Sequence, residues 1–253
     1  MSTAIRLADV SIVRGGRAIW SQGTFEISQG AVVGVIGPNG SGKTTLLEMV
    51  LGVLRPTAGL IEVFGDRPRR GNHRIGYVPQ NYTAAVGDGI RCRDLVSLGL
   101  SGHRWGLRPL RRSARAEVDA ALESVGALEF ADQRVSQVSG GQQQRVAIAQ
   151  ALVQRPELLL LDEPLANLDL RNQNEIVDLL GDLARSSTMT VLIVAHDLNP
   201  LLSVLTAAVY LLDGHPHYGQ IGDVVDETLL THLYGTPVKV VRTAQGELFT
   251  RNA

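Results

Sequence analysis

Residues 37–44 read Gly37-Pro38-Asn39-Gly40-Ser41-Gly42-Lys43-Thr44 and satisfy, position for position, the spacing G-x-x-x-x-G-K-[ST]. Each residue type has a use there. The glycines let the backbone curl several N–H groups towards one point, which suits an anion. A helix starting at Lys43 adds the positive end of its dipole. Lys43 can reach the β- and γ-phosphates of a nucleotide as a mobile point charge. The hydroxyl of Thr44 is a hard oxygen ligand for Mg²⁺, and Thr45 completes the candidate set. The chemistry is the gripping of a magnesium-bound triphosphate.

The second half of such a site is a carboxylate at the end of a neighbouring strand. Residues 158–163, four leucines followed by Asp162 and Glu163, supply two. Asp162 would hold Mg²⁺ through coordinated water, and Glu163 would polarise the water that attacks the γ-phosphate. Kinases, GTPases, helicases and transport ATPases all use these two elements. The sequence has no Asn/Thr-Lys-x-Asp motif of the kind that reads guanine.

The elements that must position these residues follow from local pattern. Residues 31–36, AVVGVI, form an apolar run that predicts a buried parallel strand. A helix over 43–51 follows the loop, with Leu46, Leu47, Val50 and Leu51 on its apolar face. Strand, glycine loop and helix open an α/β unit. Further strands are predicted at 59–64, 74–78, 158–161, 190–195 and 207–212. The texture changes over 87–154, where no convincing strand occurs. Val118, Ala121, Leu122 and Val125 predict a helix over 113–128. Ser139 is a natural N-cap for a helix over 141–154, with Pro156 just past its end. This stretch reads as a helical insertion in an α/β core. A short helix over 227–234 and a β-like tail over 238–250 close the chain.

Composition bounds the alternatives. The chain has 253 residues, 44% of them hydrophobic and 19% charged, which excludes disorder and collagen-like repetition. Its 24 basic and 25 acidic residues leave a net charge of −1, so nucleic acid is not an expected partner. Cys92 is the only cysteine, so no intrachain disulfide forms. No apolar run is long enough to span a membrane, and the N-terminus lacks a secretory pattern.

Val138-Ser139-Gly140-Gly141-Gln142, followed by Gln143-Gln144-Arg145, closely resembles the signature motif of ATP-binding cassette (ABC) ATPases, with Val138 where leucine is usual. Gln80, in Tyr77-Val78-Pro79-Gln80, resembles the family's Q-loop. Leu165-Ala166-Asn167-Leu168-Asp169 resembles its D-loop, and His196, in Ala195-His196-Asp197, its switch histidine. The resemblance extends over nearly the whole chain. It implies an α/β fold, a P-loop NTPase core of the ABC ATPase type with a helical subdomain insertion and an antiparallel β element near the N-terminus. One ABC ATPase domain would span 1–253, with its α/β core in 1–86 and 155–225, a helical signature subdomain in 87–154 and a tail in 226–253.

The resemblance also implies roles. ATP and Mg²⁺ would be the ligands. Two copies of the cassette would pack head to tail as a homodimer. Ser139, Gly140, Gly141 and Gln142 of one copy would then close over the γ-phosphate held by Lys43 of the other. Gln80 would touch Mg²⁺ or the attacking water and relay nucleotide state to transmembrane permease subunits. His196 would hydrogen-bond the γ-phosphate, and Asp169 would communicate across the dimer. Members of the family often stack adenine on an aromatic residue near the end of the first strand. Arg14 stands there in this chain, and a guanidinium plane can also stack on a base. Trp20, the nearest aromatic residue, is expected to pack.

Two segments, 102–134 and 196–200 with 233–238, resemble ATPases of transition-metal importers for manganese, zinc or iron. Siderophore and cobalamin importers share part of the pattern. The expected protein is a peripheral motor subunit on the cytoplasmic face of the cell membrane, fed through the complex by an extracytoplasmic solute-binding protein. Other classes fit less well. A soluble ABC ATPase of DNA repair or translation would carry a second cassette, zinc modules or coiled-coil insertions. A small-molecule kinase has no use for a phosphate cap supplied in trans. Arg104, Arg108, Arg111, Arg112 and Arg115 form a basic run that reads first as a solvated helix face, with permease or lipid contact as the alternative. His215, His217 and His232 read first as surface histidines and second as a metal-sensing site.

Overall fold

A computed structural model of the protein describes residues 2–80, 82, 89–101, 112–186, 188–242 and 248–252. The chain divides into two compact units: Met1–Asn72 with Leu180–Ala253, and His73–Leu179.

In the first unit, β1 (Thr3–Arg14) and β2 (Arg17–Ser28) form an antiparallel hairpin closed by Gly15 and Gly16. The inward face alternates with its phase shifted at bulges, such as that between Leu7 and Val10, burying Ile5, Leu7, Val10 and Ile12 from β1 and Trp20, Phe25 and Ile27 from β2. After β3 (Val32–Ile36) and α1 (Lys43–Val50), β4 (Ala58–Val63) pairs with β1 and completes a sheet of order β2-β1-β4. This is the antiparallel element expected near the N-terminus.

β3 pairs in parallel with β7 (Thr190–Val194) on one side and β8 (Ala207–Leu212) on the other. All five residues of β3 and of β7 are buried, the signature of strands covered on both faces. β9 (His215–Gln220) runs antiparallel to β8. Sequence pattern did not mark β9, whose residues, His-Pro-His-Tyr-Gly-Gln, neither alternate nor form an apolar run. Its strand state comes from its neighbours. Tyr218 stacks on Phe25 of β2 with ring centroids 6.0 Å apart, and Tyr210 of β8 stacks on His217 at 5.0 Å.

In the second unit, β5 (Ile75–Val78) and β6 (Leu158–Asp162) pair in parallel, Val78 opposite Leu161. Between them the chain forms α2 (Cys92–Ser101), α3 (Arg112–Ser124) and α4 (Gly140–Leu152). These bury Leu95, Val96, Val118, Leu122, Val146 and Ile148, and no strand occurs among the described residues between β5 and β6. The helix expected over 113–128 ends earlier, at Ser124. Gly126 turns left-handed (φ 66°) and the Ala127 amide donates back to the Leu122 carbonyl at 2.8 Å, a C-terminal capping arrangement. α5 (Leu170–Ser186) carries the chain from the second unit to the first. In the first unit, α6 (Ile221–Val224) and α7 (Glu227–Tyr234) precede a two-stranded antiparallel hairpin, β10 (Val238–Arg242) and β11 (Leu248–Asn252).

Candidate nucleotide-binding site

The loop between β3 and α1 carries the phosphate-gripping residues. Lys43 is 7% exposed, and its Nζ donates to the loop's own carbonyls, Gly37 at 2.8 Å and Pro38 at 3.1 Å. The lysine is thereby held folded back under the loop. The Ser41 hydroxyl oxygen is buried without a hydrogen-bond partner among the described residues. A buried, unmatched hydroxyl costs free energy in the absence of a ligand and marks where one belongs. Gly42 must be glycine: its φ is 100°, and a Cβ would collide with Trp20 and Ile19. Trp20 does pack there, buried, with its indole N–H donating to the Ser41 carbonyl at 3.3 Å.

No side chain caps the N-terminus of α1, whereas Ser139 caps α4 and Asp226 caps α7. The first-turn amides of α1 are therefore not claimed by a capping side chain, as an anion site requires. Taken separately, each unit has a hard oxygen of the kind Mg²⁺ takes. These are the exposed hydroxyl of Thr44 in the first and the carboxylate of Asp162, 6% exposed, in the second. The donor chemistry of each residue, within its own unit, fits a hard cation.

In the second unit, the register of β5 against β6 sets Gln80 beside Glu163. The Gln80 Nε2 donates to Glu163 Oε2 at 2.5 Å. Glu163 has a left-handed backbone (φ 53°), uncommon for a residue with a side chain and concentrated at functional positions.

The signature residues open α4. Ser139 Oγ accepts from the Gln142 amide at 3.3 Å, and Gln142 Oε1 accepts from the Ser139 amide at 2.8 Å, a complete capping box. Gln142 is thus committed to the helix start. Gly140 and Gly141 follow, and a Cβ on Gly141 would collide with the Asn172 side chain. Asn172 is bound in turn by Asp169: Oδ1 accepts the Asn172 backbone amide at 2.8 Å and Oδ2 its side-chain amide at 2.9 Å. Asp169 therefore caps α5. Sequence reasoning missed Asn172; its signal was the three-residue step from Asp169 to a second capping-type residue.

Arg14 closes β1, and its guanidinium pairs with Glu48 of α1 at 3.1 Å. Glu48 was also missed, because nothing local links residues 34 positions apart. His196 is exposed just past β7. Its carbonyl accepts from the Tyr234 hydroxyl at 3.5 Å; burial, with the charge of Asp197 adding to it, pushes the Tyr234 phenol up to about 12.

The remaining candidates divide. Among the described residues no group of three or more His, Cys, Asp or Glu side chains could hold a metal ion. His215 instead meets the Ser21 carbonyl at 3.0 Å, His217 stacks on Tyr210, and His232 pairs with Asp213 at 3.3 Å. Arg104, Arg108 and Arg111 lie outside the described residues, as does the side chain of Arg112; Arg115 is exposed on α3. Among the described residues no helix is long and apolar enough to cross a membrane.

Known proteins resemble this chain in sequence and in fold. The family model described as ABC transporter matches residues 21–166. The zinc uptake system ATP-binding protein ZurA of Listeria monocytogenes is 39% identical over 177 residues, 69% of each chain. The manganese transport system ATP-binding protein MntB of Bacillus subtilis is 36% identical over 197 residues, 77% of each. The phosphonates import ATP-binding protein PhnC of Stutzerimonas stutzeri is 35% identical over 252 residues, 93% of this chain and 91% of that one. Among solved structures, an inward-facing ABC transporter described as of metal-chelate type superposes with a TM-score of 0.85 and 28% identity, covering 99% of this chain and 97% of that one. A family match through more than half of the sequence, with relatives this similar over most of its length, makes this chain a member of the ABC transporter family and, within it, an ATP-binding subunit that hydrolyses ATP.

Proposed function

We propose that the chain is the motor subunit of an importer for a transition-metal cation, manganese, zinc or iron. ZurA and MntB, named for zinc and manganese systems, support that substrate class. In this reading the chain sits peripherally on the cytoplasmic face of the membrane and pairs with a second copy of itself. It drives separate permease subunits that an extracytoplasmic solute-binding protein supplies. The likeness to a metal-chelate-type transporter favours a second reading, import of a chelated metal such as a siderophore complex or cobalamin.

The site residues take the following roles. The backbone amides of residues 39–45 and the Lys43 ammonium bind the β- and γ-phosphates. Thr44 and Asp162 would hold Mg²⁺, with Gln80 as the third candidate ligand; the ion would supply positive charge against the phosphate oxygens. Glu163 takes the proton of the attacking water, and Gln80 orients that carboxylate. His196 donates to the γ-phosphate as negative charge builds on it. Arg14, steadied by Glu48, offers its guanidinium face to adenine. Ser139, Gly140, Gly141 and Gln142 of the second copy close over the phosphate, with Asp169 at the junction between copies. The observation that carries the hydrolytic assignment is the hydrogen bond from Gln80 to Glu163.

Substrate class is tested by uptake. Cells lacking this chain should lose high-affinity accumulation of one radiolabelled divalent metal, and the parent chain, but not Lys43→Ala, should restore it. Normal accumulation of manganese, zinc and iron, together with loss of siderophore or cobalamin uptake, would establish the second reading.

A further inference from the structure

The loop after His196 is tied to the C-terminal part of the chain. Locally, Asp197 Oδ1 accepts the Asn199 amide at 2.9 Å, an Asx turn that already closes the loop on itself. The Asn199 side chain does something further. Its Nδ2 donates to the Thr250 carbonyl at 2.8 Å, and its Oδ1 accepts from the Thr250 amide at 2.6 Å and from the Thr250 hydroxyl at 2.9 Å. Thr250 lies on β11, opposite Val240 of β10. β10 is tied to α7, whose Thr231 Oγ1 accepts from the Val238 amide at 3.0 Å and whose Glu227 Oε1 accepts from the Val240 amide at 2.9 Å. Tyr234, at the end of α7, donates to the carbonyl of His196 itself. A hydrogen-bonded chain thus runs from α7 through β10, β11 and Asn199 to the histidine loop.

A cleft of about 440 Å³ lies against this loop, lined by His196, Asp197, Asn199, Leu230, Tyr234 and Thr250 among others. Leu198 anchors the loop in the core, whereas His196 is exposed beside the cleft. Directed hydrogen bonds to Thr250 and Tyr234 add to that anchor, and such bonds specify position as well as energy.

We propose that Asn199 and Tyr234 are positioning residues for His196, through which the C-terminal hairpin sets the histidine's place at the γ-phosphate. The proposal rests on the role given to His196 above. ATP turnover by the full-length chain tests it in Asn199→Ala, Tyr234→Phe, His196→Ala and the Asn199→Ala/His196→Ala double variant.

Asn199→Ala is expected to lower kcat about tenfold with KM for MgATP within about twofold of the parent, because a small displacement of His196 weakens contacts made in the transition state more than ground-state binding. Tyr234→Phe keeps the ring's packing and should move kcat the same way by about threefold, the loss of one neutral hydrogen bond. In the His196→Ala background, Asn199→Ala should change nothing further, because the residue it positions is gone. A tenfold loss that persists in that background overturns the proposal, since the role is then structural. So do parental kcat values for both single variants beside a loss of about a hundredfold or more in His196→Ala, and the reading of His196 then stands. Parental kcat in His196→Ala overturns both.

Discussion

The amide of Gln80 donates to the carboxylate of Glu163 at 2.5 Å, and the register of two parallel strands puts it there. Val78 is the partner of Leu161, so the residues two places further on, Gln80 and Glu163, emerge side by side from β5 and β6. Glu163 then turns left-handed, which fixes where its side chain leaves the strand. A residue implied to sense the nucleotide and one implied to activate water are a bonded pair.

Gln80→Ala removes the donor and leaves the phosphate loop untouched. ATP affinity should hold, while kcat falls about tenfold, the worth of a hydrogen bond to a charged group. Nucleotide titration alongside steady-state turnover checks both halves; a fall in affinity with unchanged kcat would contradict the orienting role.

Lys43→Ala deletes a buried ammonium that rests on Gly37 and Pro38 carbonyls. Affinity for ATP should drop about ten- to a hundredfold, because charge-assisted contacts to phosphate are lost. Fluorescent-nucleotide binding measures it, and parental affinity would remove Lys43 from the site.

Gly141→Ala places a methyl group against the Asn172 side chain, which Asp169 holds with two hydrogen bonds. The second unit should lose about 1–3 kcal/mol of stability, the usual result of overpacking. Thermal unfolding reads this directly. Gly141→Ala combined with Asn172→Ala should recover most of it.

Arg74 grips Glu157 at two points, 2.5 and 2.8 Å, across the starts of β5 and β6. The guanidinium hydrogen bond of Arg74 holds the Glu157 carboxyl below its ordinary value, against the opposing effect of burial. A carboxyl lowered on folding adds stability above its unfolded pKa and loses it as pH falls through the folded pKa. Glu157→Gln should therefore cost at most about 1 kcal/mol at neutral pH, since the pair is half exposed. The difference from the parent should vanish in acid. Urea unfolding across pH checks the sign.

Several parts of the molecule were legible in the sequence for plain reasons. β3, β6 and β7 are buried on both faces, so each reads as an unbroken apolar run. The phosphate loop and the Ser139 capping box are local in sequence, and local chemistry shows in spacing. What was not legible depends on distant partners. β9 is a strand because Tyr218 stacks on Phe25 and Tyr210 on His217, not because of its own pattern. The helical period of α3 runs on past its true end at Ser124, and only the conformation of Gly126 stops it. The pairs Arg14–Glu48 and Asn199–Thr250 link residues far apart in the chain, for which one sequence carries no signal.

The most direct test is Glu163→Gln, which removes the base while sparing Lys43 and the loop around it. ATP should bind at parental affinity, turnover should fall about a thousandfold as for loss of a general base, and gel filtration should show an ATP-dependent dimer. Hydrolysis at the parental rate would contradict that role for Glu163.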